Sequence, residues 1–107
     1  GTMEGRHGYA YDGILMGAPI ATAGPIQFDG YGNLSATYQV SIGGMPFSGT
    51  FTGTYTVNED CTGTATLHLP KLGATANGSF VIVNEGKETF FTGTDQGVTI
   101  RGVTKKI

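Results

Sequence analysis

A chain of 107 residues with 13% charged residues and a formal net charge of −2 has the commonest size of a single domain and can form one core. Six Lys and Arg among eight acids give no basic stripe, so an electrostatic nucleic-acid binder is excluded. No apolar run approaches the ~18 residues of a membrane-spanning helix. Nineteen glycines and the absence of Trp favour strands and turns over helices.

The whole chain, 1–107, reads as one domain, with Gly1-Thr2 and Met3 taken as a cloning scar and start to be set aside. Eight strands are expected: Arg6–Met16, Ile20–Phe28, Asn33–Ile42, Met45–Val57, Thr62–Leu69, Thr75–Asn84, Lys87–Thr94 and Val98–Lys105. On the first, His7, Tyr9 and Tyr11 share a parity and converge at one end of the fold. Gly17-Ala18-Pro19 and Asp29-Gly30-Tyr31-Gly32 punctuate the next two boundaries. The third strand sets Leu34, Ala36, Tyr38, Val40 and Ile42 against Ser35, Thr37, Gln39 and Ser41. Gly43-Gly44 suits a two-residue hairpin, as does Glu85-Gly86 further on.

The fourth strand is the plainest. Phe47, Gly49, Phe51, Gly53, Tyr55 and Val57 alternate with Ser48, Thr50, Thr52, Thr54 and Thr56, so one face is dry and the other wet. The fifth repeats the pattern with Gly63, Ala65, Leu67 and Leu69 inward and His68 outward. A single helical turn is expected near Pro70–Gly73. Phe80-Val81-Ile82-Val83 is apolar on both parities, which implies cover on its outer side by a loop, a terminus or a second copy of the chain.

Strands joined by short turns pair in sequence, and closing the sheet removes its two edges. The expected fold is therefore all-β, an eight-stranded antiparallel up-and-down barrel, with a two-sheet sandwich as the alternative. Small inward residues interleaved with rings favour a filled interior over an open one.

The segment Phe51-Thr-Gly-Thr-Tyr-Thr-Val-Asn-Glu-Asp-Cys-Thr-Gly-Thr-Ala-Thr-Leu67 resembles a recurrent signature of small uncharacterised bacterial proteins, usually exported. Phe80–Val83, Gly86–Glu88, Thr94-Asp95, Gln27–Asn33 and Gly8-Tyr9 extend the likeness over most of the chain. The resemblance implies a calycin-type barrel of allene oxide cyclase-like shape and a periplasmic or extracellular location. Such proteins commonly carry a second cysteine near the mature N-terminus, and here Cys61 is the only one.

No motif carries catalysis, a metal or a cofactor. Asp60 and Glu59 precede Cys61, and carboxylates raise a thiol's pKa, so a structural cysteine is the better reading. Glu59, Asp60, Glu85 and Asp95 are turn residues and form no inward pair of carboxylates. The expected function is binding of a small apolar molecule or a protein partner. Its site would be His7, Tyr9 and Tyr11 at the barrel end with Tyr38, Phe51 and Tyr55 behind them. The alternatives are a cyclase or isomerase that works by confining its substrate, and a structural barrel with a filled core. A homo-oligomer through the Phe80–Val83 strand is also expected.

Overall fold

The expected alternation is present in a computed structural model that describes residues 3–107, the side chain of Leu72 excepted. Gly1 and Thr2 lie outside the described residues. The eight strands are β1 (Glu4–Leu15), β2 (Ala18–Asp29), β3 (Asn33–Ile42), β4 (Met45–Val57), β5 (Thr62–Leu69), β6 (Ala74–Val83), β7 (Glu88–Gly93) and β8 (Val98–Lys106). Each pairs antiparallel with its neighbour in sequence, and β8 returns to β1 from His7↔Lys106 to Leu15↔Val98. The sheet is thus a closed up-and-down barrel with no free edge, and the sandwich alternative is ruled out. The molecule measures 37 × 23 × 22 Å.

Two turns depart from expectation. The first hairpin turns on Met16-Gly17 (φ 49° and 86°), with Leu15 opposite Ala18, so Pro19 belongs inside β2. Its missing N–H costs nothing there, because the β2–β3 ladder starts one residue later at Ile20↔Ile42. The β6–β7 connection is a tight turn over Asn84–Gly86, with Asn84 and Glu85 both in the left-handed region, rather than a two-residue hairpin. The helical turn at Pro70–Leu72 forms as expected.

On β4, Phe51, Gly53 and Tyr55 are buried while Thr50, Thr52, Thr54 and Thr56 are exposed. Inward glycines serve as seats for rings. A Cβ on Gly102 would strike the Tyr11 ring, one on Gly78 the Phe91 ring, and one on Gly63 the Phe80 ring. A Cβ on Gly49 would lie 2.5 Å from the Tyr38 hydroxyl oxygen and 2.7 Å from its Cζ. On β6, Phe80 packs inward and Ile82 is buried, whereas Val81 faces out beside Phe90 of β7. Among the described residues nothing covers that outward pair: Val81 is 36% and Phe90 48% exposed.

The half of the barrel at the N-terminal end is packed solid. Met3, set aside on sequence grounds, is 1% exposed and belongs to the core. Its carbonyl accepts a 2.6 Å hydrogen bond from the Tyr55 hydroxyl, which itself accepts from Gly30 N–H at 3.0 Å. His7 meets Phe28 edge-on at 5.2 Å, and Phe28 meets Tyr55 edge-on at 5.3 Å. Thr89 and Thr104, both buried, share a hydrogen bond of 2.6 Å. Residual space among these residues is about 20 Å³, no more than a water's worth.

Candidate functional site

The opposite half is not filled. Between the rings and the hairpins β1–β2 and β7–β8 lies a cavity of about 310 Å³, open at the barrel mouth. The interior is therefore half filled, a correction to the filled barrel that interleaved large and small residues favoured. Tyr9, Tyr11, Tyr38, Phe51 and Phe91 form its aromatic wall, and Ile20, Val40, Leu67, Leu69, Val98 and Ile100 supply aliphatic surface. Met16, Asn77, Asp95 and Gln96 stand at the rim.

The rings hold one another. Tyr11 stacks on Phe91 with centroids 5.0 Å apart and planes 21° from parallel, and Tyr9 lies 5.1 Å from Tyr11. Phe51 meets Tyr9 edge-on at 5.9 Å and lies 6.1 Å from Tyr38. Such contacts add to the area each ring buries and keep the wall rigid.

The hydroxyls differ in state. Tyr9 donates to the Thr37 carbonyl at 2.9 Å. Burial raises its pKa, the neighbouring Thr22 hydroxyl offsets part of this, and Tyr38 adds to the rise. Burial drives the Tyr11 hydroxyl well above the ordinary tyrosine range, with Tyr9 adding to it, so Tyr11 is a neutral donor at any physiological pH. The Tyr38 hydroxyl oxygen is enclosed and makes no hydrogen bond among the described residues. Asp95 pins the β7–β8 loop to β6 by accepting from Asn77 N–H at 2.7 Å and Asn77 Nδ2 at 3.0 Å. Those two bonds hold its carboxyl below the usual carboxylate range.

Of the six residues read from the sequence, Tyr9, Tyr11, Tyr38 and Phe51 come together on the cavity wall. His7 and Tyr55 do not: both share the inward parity but sit in the packed half, closing the N-terminal end. His7 is fully buried with Nδ1 3.3 Å from the Gly5 carbonyl, and its Nε2 has no hydrogen-bond partner among the described residues. Parity explains the error. Four residues of strand separate His7 from Tyr11, a rise of ~13 Å, and parity says nothing of height along a barrel. Phe90-Phe91 is aromatic on both parities, so the sequence alone does not single out the inward ring, and it is Thr89 and Thr104 on the inward rows that place Phe91 inside.

Cys61 takes a left-handed φ of 68° in the β4–β5 turn and packs partly buried against the core at the N-terminal end. His68 faces outward and is exposed. Among the described residues no group of three or more His, Cys, Asp and Glu side chains gathers where one metal ion could be held.

No family description matches this chain, and no curated protein matches it in sequence. Two solved structures share its shape. A redesigned beta barrel, mFAP1, bound to DFHBI, is 21% identical, with a TM-score of 0.67 over 97% of this chain and 94% of that one. A second redesigned beta barrel, mFAP0, also bound to DFHBI, is 18% identical, with a TM-score of 0.68 over 97% of this chain and 98% of that one. At these identities the likeness is one of fold: this chain and both redesigned proteins are closed β-barrels of the same shape.

Proposed function

We propose that this chain is a binding protein for a small, largely apolar molecule without negative charge, held in the open half of the barrel. The observation that carries this reading is the 310 Å³ cavity itself, walled by five aromatic rings and open at one end. Its size lies at the lower bound of ~300–1,000 Å³ for small-molecule sites, and its lining has their composition of mostly apolar surface with a few placed polar groups. Asp95 is the one charged residue that lines it, so a buried anion would meet a carboxylate and no cation. The Tyr11 hydroxyl is the orienting group. It is held neutral and stacked on Phe91, and it is available to donate to a carbonyl or ether oxygen of the ligand. DFHBI, to which both redesigned barrels are bound, is a ready probe of the cavity.

Two measurements test this reading. Organic extraction of the purified protein followed by mass spectrometry identifies any co-purifying hydrophobe. Calorimetric titration with that molecule, or with DFHBI, then compares the parent chain with Tyr11→Phe. Loss of one hydrogen bond predicts affinity about tenfold weaker in the variant. Binding of equal strength in both proteins would remove Tyr11 from the site, and the absence of saturable binding by either molecule would count for the structural barrel.

A further inference from the structure

The wall around the cavity is continuous on every strand but one. Each of the other strands borders the space through a single parity, as Tyr9, Tyr11 and Leu15 do on β1 and Val98 and Ile100 on β8. β6 borders it through four consecutive residues, Ala74, Thr75, Ala76 and Asn77, so both of its faces meet the same space. Register explains this. β5 stays paired with β6 as far as Leu69↔Ala74, whereas the β6–β7 ladder ends at Gly78↔Gly93. The first four residues of β6, a rise of ~13 Å, therefore have no strand on their β7 side. Ala74, Thr75 and Asn77 are exposed there.

The β7–β8 turn, Thr94–Gly97, stands where that strand would be. Its hydrogen bonds to β6 among the described residues all go to Asn77. Thr94 N–H donates to the Asn77 carbonyl at 3.0 Å, and Asp95 accepts from Asn77 N–H at 2.7 Å and from Nδ2 at 3.0 Å. On its far side the turn is tied to the first hairpin, where Met16 N–H donates to the Gly97 carbonyl at 2.9 Å. Gly97, at φ 81°, supplies a pivot on that side.

We propose that this gap in the wall is the route by which the ligand reaches and leaves the cavity, with Asp95 as the latch that holds it shut, an inference that rests on the cavity's reading as a ligand site. Paired strands lie ~4.8 Å apart and leave no passage between them, so a molecule can cross the wall only where the ladder is absent. A route along the barrel axis would use inward side chains alone and would not carry the space to both faces of β6. Breaking the three bonds to Asn77 frees the turn from β6, while the Met16–Gly97 bond keeps it on the barrel, so opening unpairs no strand. Asp95, held below the usual carboxylate range by Asn77, is ionised at neutral pH, and the two bonds it accepts are charge-assisted. They lie at the surface, where water replaces them at small net cost. Such a latch persists on average and still opens on the time scale of loop motion.

Stopped-flow kinetics with DFHBI, or with the molecule extracted from the protein, test the route, and backbone amide exchange tests the latch with no ligand present. Asp95→Ala is expected to raise the association and dissociation rates together about tenfold, the worth of one charge-assisted hydrogen bond. Thr75→Trp sets a ring beside the gap and is expected to slow both rates about tenfold. Met45→Trp, at the start of β4 and already 69% exposed, is the control and changes neither. In the parent, the Asn77 and Thr94 amides are expected to exchange about 100-fold faster than Tyr55 N–H, which donates to the Gly32 carbonyl in the packed half. Unchanged circular dichroism spectra show that each variant folds. Exchange of all three amides at the single rate of global unfolding would overturn the latch. Rates slowed by Met45→Trp and indifferent to Thr75→Trp would place the route along the barrel axis and overturn the proposal, as would rates unmoved by Asp95→Ala. These outcomes leave the ligand site standing, whereas absence of saturable binding in the parent would overturn that reading and the route with it.

Discussion

Replacing Tyr38 by Phe removes one oxygen from the cavity wall and is expected to stabilise the protein. The Tyr38 hydroxyl is buried, has no hydrogen-bond partner among the described residues, and lies over Gly49 where a Cβ would come within 2.5 Å. Leaving a buried donor unsatisfied costs ~1–3 kcal/mol, which Phe does not incur, while the ring and its contact with Phe51 remain. The small void left behind takes back part of that, so a net gain of about 1 kcal/mol is expected. With an m-value of ~1.5 kcal/mol/M, the urea midpoint rises by about 0.7 M, and the thermal midpoint rises by about 4 °C. Tyr9→Phe is the matched control with the opposite sign. The same deletion there breaks a 2.9 Å hydrogen bond to the Thr37 carbonyl and is expected to lower stability by about 1 kcal/mol. Urea denaturation followed by tyrosine fluorescence and far-ultraviolet circular dichroism reads both. Midpoints that fall together in the two variants would refute the assignment of Tyr38 as an unsatisfied donor.

Phe51→Ala is expected to cost about 3 kcal/mol, the low end for deleting a buried ring because one side already faces open space, whereas Thr52→Ala stays within ~0.5 kcal/mol. Equal denaturation midpoints for that pair would reverse the β4 register. Gly49→Ala forces the Tyr38 ring off its seat and is expected to cost ~1–3 kcal/mol, and combining it with Tyr38→Phe should prove non-additive in a double-mutant cycle. In acid, the depressed carboxyls of Asp29, Asp60 and Asp95 contribute stability that is present above the unfolded pKa of ~3.9 and lost as pH falls through their folded values. A urea midpoint that rises between pH 4 and pH 2.5 would contradict this. In alkali, the raised pKa of Tyr11 contributes stability that is full below the unfolded value of ~10 and is lost as pH climbs above it. Tyr11→Phe should therefore resist alkaline unfolding better than the parent, and identical alkaline transitions would refute the link.

Much of the fold was legible because a strand has only two sides. The eleven residues from Phe47 to Val57 alternate without a break, and their burial in the structure follows residue by residue. Closure was legible from the spacing of the turn residues and from the cost of leaving two edges unpaired. The site was legible in direction but not in depth. Tyr9, Tyr11, Tyr38 and Phe51 were identified by parity and chemistry, yet the same signals admitted His7 and Tyr55, which the stagger of the strands carries into the packed half. What decides which half is open is the N-terminal segment. Met3 fills the end beside Tyr55, and nothing in a short residue run before the first strand signals that it will fold back into the barrel. Val81 shows the complementary case. Apolar character on both parities implies a covered outer face, whereas register lays Val81 beside Phe90 of β7 with nothing over the pair among the described residues.

The central claim is that the open half of the barrel holds a small apolar ligand against the Tyr11–Phe91 stack. Intermolecular nuclear Overhauser contacts between isotope-labelled protein and DFHBI, or the molecule extracted with the protein, test it most directly. Contacts are expected to Tyr11, Tyr38, Phe51, Leu67 and Phe91, with none to His7 or Tyr55. Contacts confined to the outward threonines of β4 and β5, or to the Met3–Tyr55 end, would contradict it.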